Sequence, residues 1–421
     1  MTALEIALEA GDIAPDDWDP VLADMKQFPK STHTREEVAN AGKIIAARIP
    51  VSGTKVPPEI EKAFLVANSW RDAHAYPMRS IRSSMRHFIN ALRLKGLTAA
   101  RLKRMQAIRR KLQRMKDLSL DEIQDFGGCR VILSSIDEVR SLATEVKNKL
   151  PSEVIDEDDY IAKPKKSGYR SHHIILGFRK QLATPFDGKK IELQIRTRLQ
   201  HSWATAVEAV GLYRGEELKN GKGDPSWLRM FALMSAHFAE VEGCKTVRGT
   251  PDHPASRSAE IKRLAASLKA LQTLENVNNG LDGTDIKLAP GSEPTHFLIR
   301  YDHEHKKVSV EPYSQVSKAT ASYDREEAVL RGDDEKDVVV LVEADKIKGL
   351  KEAYPNYFGD TKLFISYLRE IVHGPEATAY ARAAKQRRGR PPAQQDPRGD
   401  LSWLRGSRFR GPSNKRMKRK S

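Results

Sequence analysis

The chain has 421 residues, 30% of them charged and 39% hydrophobic, with a net charge of +16, which suits two or three packed domains. Its longest apolar runs, such as residues 338–342, are too short to cross a bilayer, and residues 1–10 lack the basic start and apolar block of a secretion signal. Two cysteines, Cys129 and Cys244, make neither a disulfide scaffold nor a zinc site, so a cytoplasmic protein without membrane contact is expected.

Residues 1–34 read as an acidic, poorly patterned lead-in, and 35–96 as a helical region. Within it Val38, Ala41, Ile44, Ile45 and Ile49 recur at three- and four-residue steps, which marks one helical face. Further helices are predicted over 59–73 and 79–94, with Pro77 at the junction. The run RLKRMQAIRRKLQRMK (101–116) reads as one basic helix, with eight cations, no acid, and a stripe of Leu102, Met105, Ile108, Leu112 and Met115. Such charge is unfavourable unless an anion meets it, and a polyphosphate would supply one; a solvated surface helix is the plainer alternative.

Asp125 stands just before the strand-like GCRVIL, with Gly127 and Gly128 allowing a close turn. A carboxylate at a strand mouth suits a metal, although a turn Asp is the commoner case. In DYIAKPKKSGYRSHH (159–173), Lys163, Lys165, Lys166 and Arg170 surround a flexible Gly168 and an aromatic Tyr169, ahead of a strand. IELQIRT (191–197) alternates, with Ile191, Leu193 and Ile195 directed to a core and Glu192, Gln194 and Arg196 on the opposite face. In QHSWATAVE (200–208), His201, Trp203 and Glu208 are further candidates, with helix packing as the alternative for this stretch. A helical extension follows over 216–290, with helices near 227–242 and 258–275, the latter striped by Ile261, Leu264, Leu268, Leu271 and Leu274. A separate α+β unit is predicted over 295–373, with strands starting at His296, Val308 and Asp337 and helices near 318–330 and 361–372. The last 41 residues hold fourteen Lys and Arg against two Asp, a net +12. This Gly-, Pro- and Arg-rich tail, 376–421, is expected to be disordered.

RLKRMQAIRRK (101–111), DFGGCRVIL (125–133), DYIAKPKKSGYRSHH and IELQIRT stand in the order and near the spacing of the synthetase domain of the RelA/SpoT family, which the chain resembles over about residues 85–213. The resemblance implies an α+β fold, a nucleotidyltransferase-like mixed β-sheet with flanking helices over 97–215. It implies transfer of pyrophosphate from ATP to the 3′-hydroxyl of GDP or GTP, making a guanosine alarmone, (p)ppGpp. Arg101, Lys103, Lys111 and Arg130 would bind ATP. Asp125 and the catalytic Glu192 would hold Mg²⁺, and Glu192 would act as base, metal ligand or both. Lys163, Lys165, Tyr169, Arg170, His173, Gln194 and Arg196 would bind the acceptor, with Tyr169 stacking on its base. No His-Asp hydrolase pattern lies upstream, so no alarmone-degrading domain is expected. The family's guanosine synthetases read Glu-His where this chain has Val207 and Glu208. QHSWATAVE looks instead like less-studied branches of the family, some of which are similar to toxins that pyrophosphorylate the 3′ end of tRNA. That acceptor, with RNA or ribosome contact through the basic tail, is the second reading. An inactive nucleotide- or RNA-binding member is the third, and the oligomeric state is left open.

Overall fold

The computed structural model describes residues 28–47, 57–180, 184–280, 294–305, 307–329, 337–343 and 361–374. Three helices come first: α1 (Arg35–Ala46), α2 (Pro58–Asp72) and α3 (Ala75–Ala91). A capping box starts α1: the Thr34 hydroxyl accepts from the Glu37 N–H at 3.2 Å and the Glu37 carboxylate from the Thr34 N–H at 2.8 Å. Pro77 does not mark a break. It sits in the first turn of α3, where proline removes no helical hydrogen bond, so the helix begins at Ala75 rather than 79.

The predicted basic helix is two elements. Residues Leu97–Leu102 form strand β1, and the helix, α4, spans only Met105–Arg114. The strand forms because β1 is paired on both sides, with β2 (Gly127–Leu133) and with β8 (Val338–Glu343), so Arg101 lies on a strand and Lys103 in the link to α4. α5 (Ile136–Lys149), β3 (Glu153–Asp159), β4 (His172–Gly177), β5 (Lys190–Thr197) and α6 (Arg198–Arg214) follow. β3 is a sheet edge whose exposed Glu153, Asp156, Glu157 and Asp158 discourage further strand pairing. After α7 (Pro225–Val241), the helix predicted over 258–275 is divided into α8 (Pro254–Ser267) and α9 (Ala270–Gly280), because the backbone turns at Lys269, φ 48°. β6 (His296–Asp302), β7 (Lys307–Tyr313), α10 (Val316–Val329), β8 and α11 (Lys362–His373) complete the described elements.

The strands form one eight-stranded mixed sheet in the order β3-β4-β5-β2-β1-β8-β6-β7. Only β2 and β5 run parallel; the other pairs are antiparallel. The strands predicted after residue 295 are therefore present, and through β8 they continue the same sheet, so the sheet has no boundary there. One face buries Val131, Leu133, Ile174, Leu176, Ile191, Leu193 and Ile195 against α3 and α5. Each fully buried Ile or Leu stabilises this layer by roughly 1.5–3 kcal/mol. Beyond the other face lies a helical core of α6, α7, α8, α9 and α11 built on Trp203, Trp227, Phe231, Phe238 and Phe364. No helix among the described residues is long and apolar enough to cross a membrane. Residues 1–27 and the tail from 375 onward lie outside the described residues.

Candidate active site

Strand pleating sets the site. In β5 the apolar residues fill the core, which turns Glu192, Gln194 and Arg196 to the opposite face. The parallel register places Gly128 beside Glu192 and Arg130 beside Gln194, and the antiparallel register places His173 of β4 on the other side of Gln194. These strands floor an open cleft of about 290 Å³, walled by Arg101, Lys103, Asp125, Lys165, Ser167, Tyr169, Lys219 and Asn220. Five cations face two carboxylates in its lining, a balance that suits a polyphosphate.

Asp125 is gripped at both oxygens. Lys103 Nζ donates to Oδ2 at 2.6 Å and Lys111 Nζ to Oδ1 at 2.9 Å. Burial alone would raise the Asp125 pKa, but the two ammonium groups outweigh it and hold it below the usual carboxylate range. Burial lowers the Lys103 pKa against the opposing pull of Asp125.

Glu192 belongs to a second network. His173 Nδ1 lies 2.9 Å from Glu192 Oε1, and Gln194 Nε2 donates to Oε2 at 2.7 Å. His173 Nε2 is 2.7 Å from the Tyr169 hydroxyl. Arg196 Nη2 donates to that hydroxyl at 2.5 Å and to Gln194 Oε1 at 2.7 Å. His173 thus joins the Glu192 carboxylate at Nδ1 to the Tyr169 hydroxyl at Nε2. Burial opposes ionisation of Glu192, but the bonds from His173 and Gln194 and the charge of Lys103 prevail and bring it to about 2.

Tyr169 lines the cleft with its ring in edge contact with Tyr160 and His173, and the Lys165 ammonium sits 4.1 Å from the Tyr160 ring centre. Gly168 is a packed position rather than a flexible one. At φ 96°, a Cβ there would lie 2.8 Å from Ser235 Cβ and 3.0 Å from Trp203 Cζ2, and the Ser235 hydroxyl donates to its carbonyl at 2.5 Å. The loop is thereby pressed onto α6 and α7.

Over residues 100–217 the chain matches a family model described as the region found in RelA / SpoT proteins. Residues 100–217 of this chain are thus similar to the RelA/SpoT region. It is 33% identical over 108 residues to the GTP pyrophosphokinase YjbM of Bacillus subtilis, covering 25% of this chain and 51% of that protein. It is 32% identical over 114 residues to the GTP pyrophosphokinase YwaC of the same organism, covering 26% and 54%. The chain thus spans about half the length of these curated relatives. Among solved structures, small alarmone synthetase 1 from Bacillus subtilis bound to its product pppGpp aligns with 21% identity over 44% of this chain and 94% of that one, at a TM-score of 0.37.

Of the residues singled out by the RelA/SpoT resemblance, Arg101, Lys103, Asp125, Arg130, Lys165, Tyr169, His173, Glu192 and Gln194 line the cleft. Lys111 and Arg196 stand directly behind it, bonded to Asp125 and to Tyr169. Five others lie outside the lining. Lys163 is exposed outside the lining. Arg170 is buried and donates to the Ile161 carbonyl at 3.2 Å. His201 is buried away from the lining, and Trp203 is a core residue whose Nε1 donates to the Phe231 carbonyl at 2.7 Å. Glu208 bonds Lys219 Nζ at 2.5 Å. Burial would raise its pKa, but Lys219, Arg130 and Arg101 hold it far below the usual range. Lys219 and Asn220 escaped the sequence reading because they follow the family region, in a short turn (Leu218–Asn220) anchored by buried Leu218. The only local signal was a lysine ahead of a glycine-flanked turn, which is not diagnostic.

Proposed function

We propose that this protein is a pyrophosphokinase that moves pyrophosphate from ATP to the 3′-hydroxyl of GDP or GTP, forming a guanosine alarmone and AMP. The observation that carries the reading is the meeting, in one cleft, of the Lys103–Asp125–Lys111 cluster and the Glu192–His173–Tyr169–Arg196 network. Arg101, Lys103, Lys111 and Arg130 would hold the ATP phosphates, and the Tyr169 ring would carry the acceptor base with Lys165 near its phosphates. The acceptor 3′-oxygen attacks the β-phosphorus, the bond from that phosphorus to the oxygen bridging it to the α-phosphate breaks, and AMP leaves. Such transfers need alignment and charge neutralisation more than covalent help. A carboxylate near 2 is a weak base. Glu192 would therefore orient the hydroxyl and take its proton only as the new P–O bond forms.

Asp125 and Glu192 share the cleft and feel each other's charge. Two ionised carboxylates fit Mg²⁺, which takes one or two such ligands and completes its shell with water and substrate phosphates. When bound, Mg²⁺ would neutralise phosphate charge during transfer. The test is incubation of the protein and Mg²⁺ with β-labelled ATP and GDP, GTP or tRNA in separate reactions. Label on a guanosine nucleotide supports the reading, and label confined to tRNA selects the tRNA-modifying alternative. Label on none of these acceptors removes the reading.

A further inference from the structure

The helix carrying Lys111 has no local cap. Arg104 at its N-cap makes no side-chain capping bond, and no acid occurs anywhere from 101 to 116. The first N–H groups of a helix need partners, and its positive end favours a carboxylate. That carboxylate arrives from 222 residues away. Glu327 Oε1 of α10 accepts from the backbone N–H of Met105, the first residue of α4, at 2.6 Å in a buried setting.

Glu327 is itself held from several sides. Arg71 Nη1 donates to Oε2 at 2.6 Å, and the Tyr323 hydroxyl also bonds the carboxylate. Arg71 is fully buried, reaching Asp324 with Nη2 at 2.9 Å and Asp72 with Nε at 3.0 Å, and its guanidinium lies over the Tyr323 ring. A solvated ion pair would show none of this enclosure. Residues 316–329 lie far outside the family region, which ends at 217. They nevertheless hold the first residue of α4, the helix from which Lys111 reaches Asp125 and which begins two residues after Lys103, the other lysine on that carboxylate.

We propose that Glu327 is a positioning residue for the donor half of the cleft. By capping α4 from α10 it fixes how Lys103 and Lys111 meet Asp125, and so how the donor phosphates are received. The inference rests on the pyrophosphokinase reading of the cleft. It makes the β6–β8 extension and α10 part of the donor site.

The test compares E327A and E327Q with Y323F, which removes only the hydroxyl that holds Glu327, and with E343Q, which breaks the Arg82–Glu343 pair (2.9 Å) on neighbouring β8. Each variant is measured below its unfolding temperature for KM of ATP and of acceptor, for Kd of a non-hydrolysable ATP analogue, and for amide exchange at 105–108. The expected result is a roughly fivefold to tenfold rise in ATP KM and analogue Kd for E327A, the change that loss of one helix cap implies. Faster exchange at 105–108 should accompany it, with the acceptor KM unchanged and E327Q and Y323F intermediate. E343Q should leave the ATP parameters alone. If α4 exchanges faster while ATP KM and analogue Kd stay put, Glu327 is a structural cap only and the proposal falls. Equal effects of E327Q and E343Q on ATP also overturn it. Should E327A fail to fold, E327Q and Y323F decide on the same criteria. Wild-type protein that transfers to no acceptor would overturn the reading of the cleft separately, leaving analogue Kd to judge Glu327.

Discussion

At Glu192 two opposing effects act on one carboxylate. Burial disfavours its charge, while His173, Gln194 and Lys103 favour it and win, so its pKa falls from 4.5 to about 2. A pKa lowered by folding contributes stability that is present above about 4.5 and lost as pH falls towards about 2. Across that window the unfolding free energy of wild type should drop relative to E192Q, by on the order of 3 kcal/mol, as denaturant titrations at stepped pH would read. A flat difference would mean the pairing with His173 is weaker than its 2.9 Å contact implies. For turnover, E192Q and D125N should each cost more than tenfold, or about 1.4 kcal/mol of transition-state stabilisation, with the far-UV spectrum unchanged. Tyr169→Ala should weaken the acceptor by about 1–3 kcal/mol, the usual contribution of a base–aromatic stack, and leave ATP nearly untouched. Tyr169→Phe separates the ring from the hydroxyl that joins His173 to Arg196. Isothermal titration with each nucleotide distinguishes the two variants.

The loop before β4 and the segment before α4 show what sequence could and could not convey about individual elements. The alternation of IELQIRT placed Glu192, Gln194 and Arg196 on one face because strand period is fixed by backbone geometry. Gly168 read as freedom, yet it marks close approach to Trp203 and α7, a distinction that depends on residues 35 and 67 positions away. Gly168→Ala should therefore push the loop off α7, raising the acceptor KM severalfold and lowering the melting temperature by several degrees, as expected for about 1–3 kcal/mol of overpacking. Thermal denaturation and initial rates check both effects. Arg101 and Leu102, the last residues of the strand Leu97–Leu102, read as the start of the basic helix because the basic run begins there. Local periodicity cannot report that β2 and β8 wait on either side.

Across the whole molecule, β8 joins the C-terminal strands to the family region, so a chain ending at 294 loses a central partner of β1 and the Arg82–Glu343 ion pair. It should aggregate or melt well below the full chain, since an uncovered strand edge invites pairing; a monodisperse truncate with unchanged melting temperature would argue against this continuity. Cutting after Gly374 instead removes the +12 tail. Transfer to GDP should then be unaffected, whereas any transfer to tRNA should weaken and lose part of its salt dependence, because phosphate contacts and their released counterions go together. Initial rates against salt with both acceptors check this. The sequence by itself determined the resemblance of its central segment to the RelA/SpoT region, most of the cleft lining and the inward face of the IELQIRT strand, because motif spacing and strand period are local properties of the chain. Only the tertiary structure decided that Arg170, His201 and Trp203 turn into the interior, that Lys219 and Asn220 enter the cleft, and that Glu327 caps α4 from 222 residues away. Those outcomes depend on which surfaces a buried charge or an uncapped helix end meets, and long-range packing alone supplies the partner.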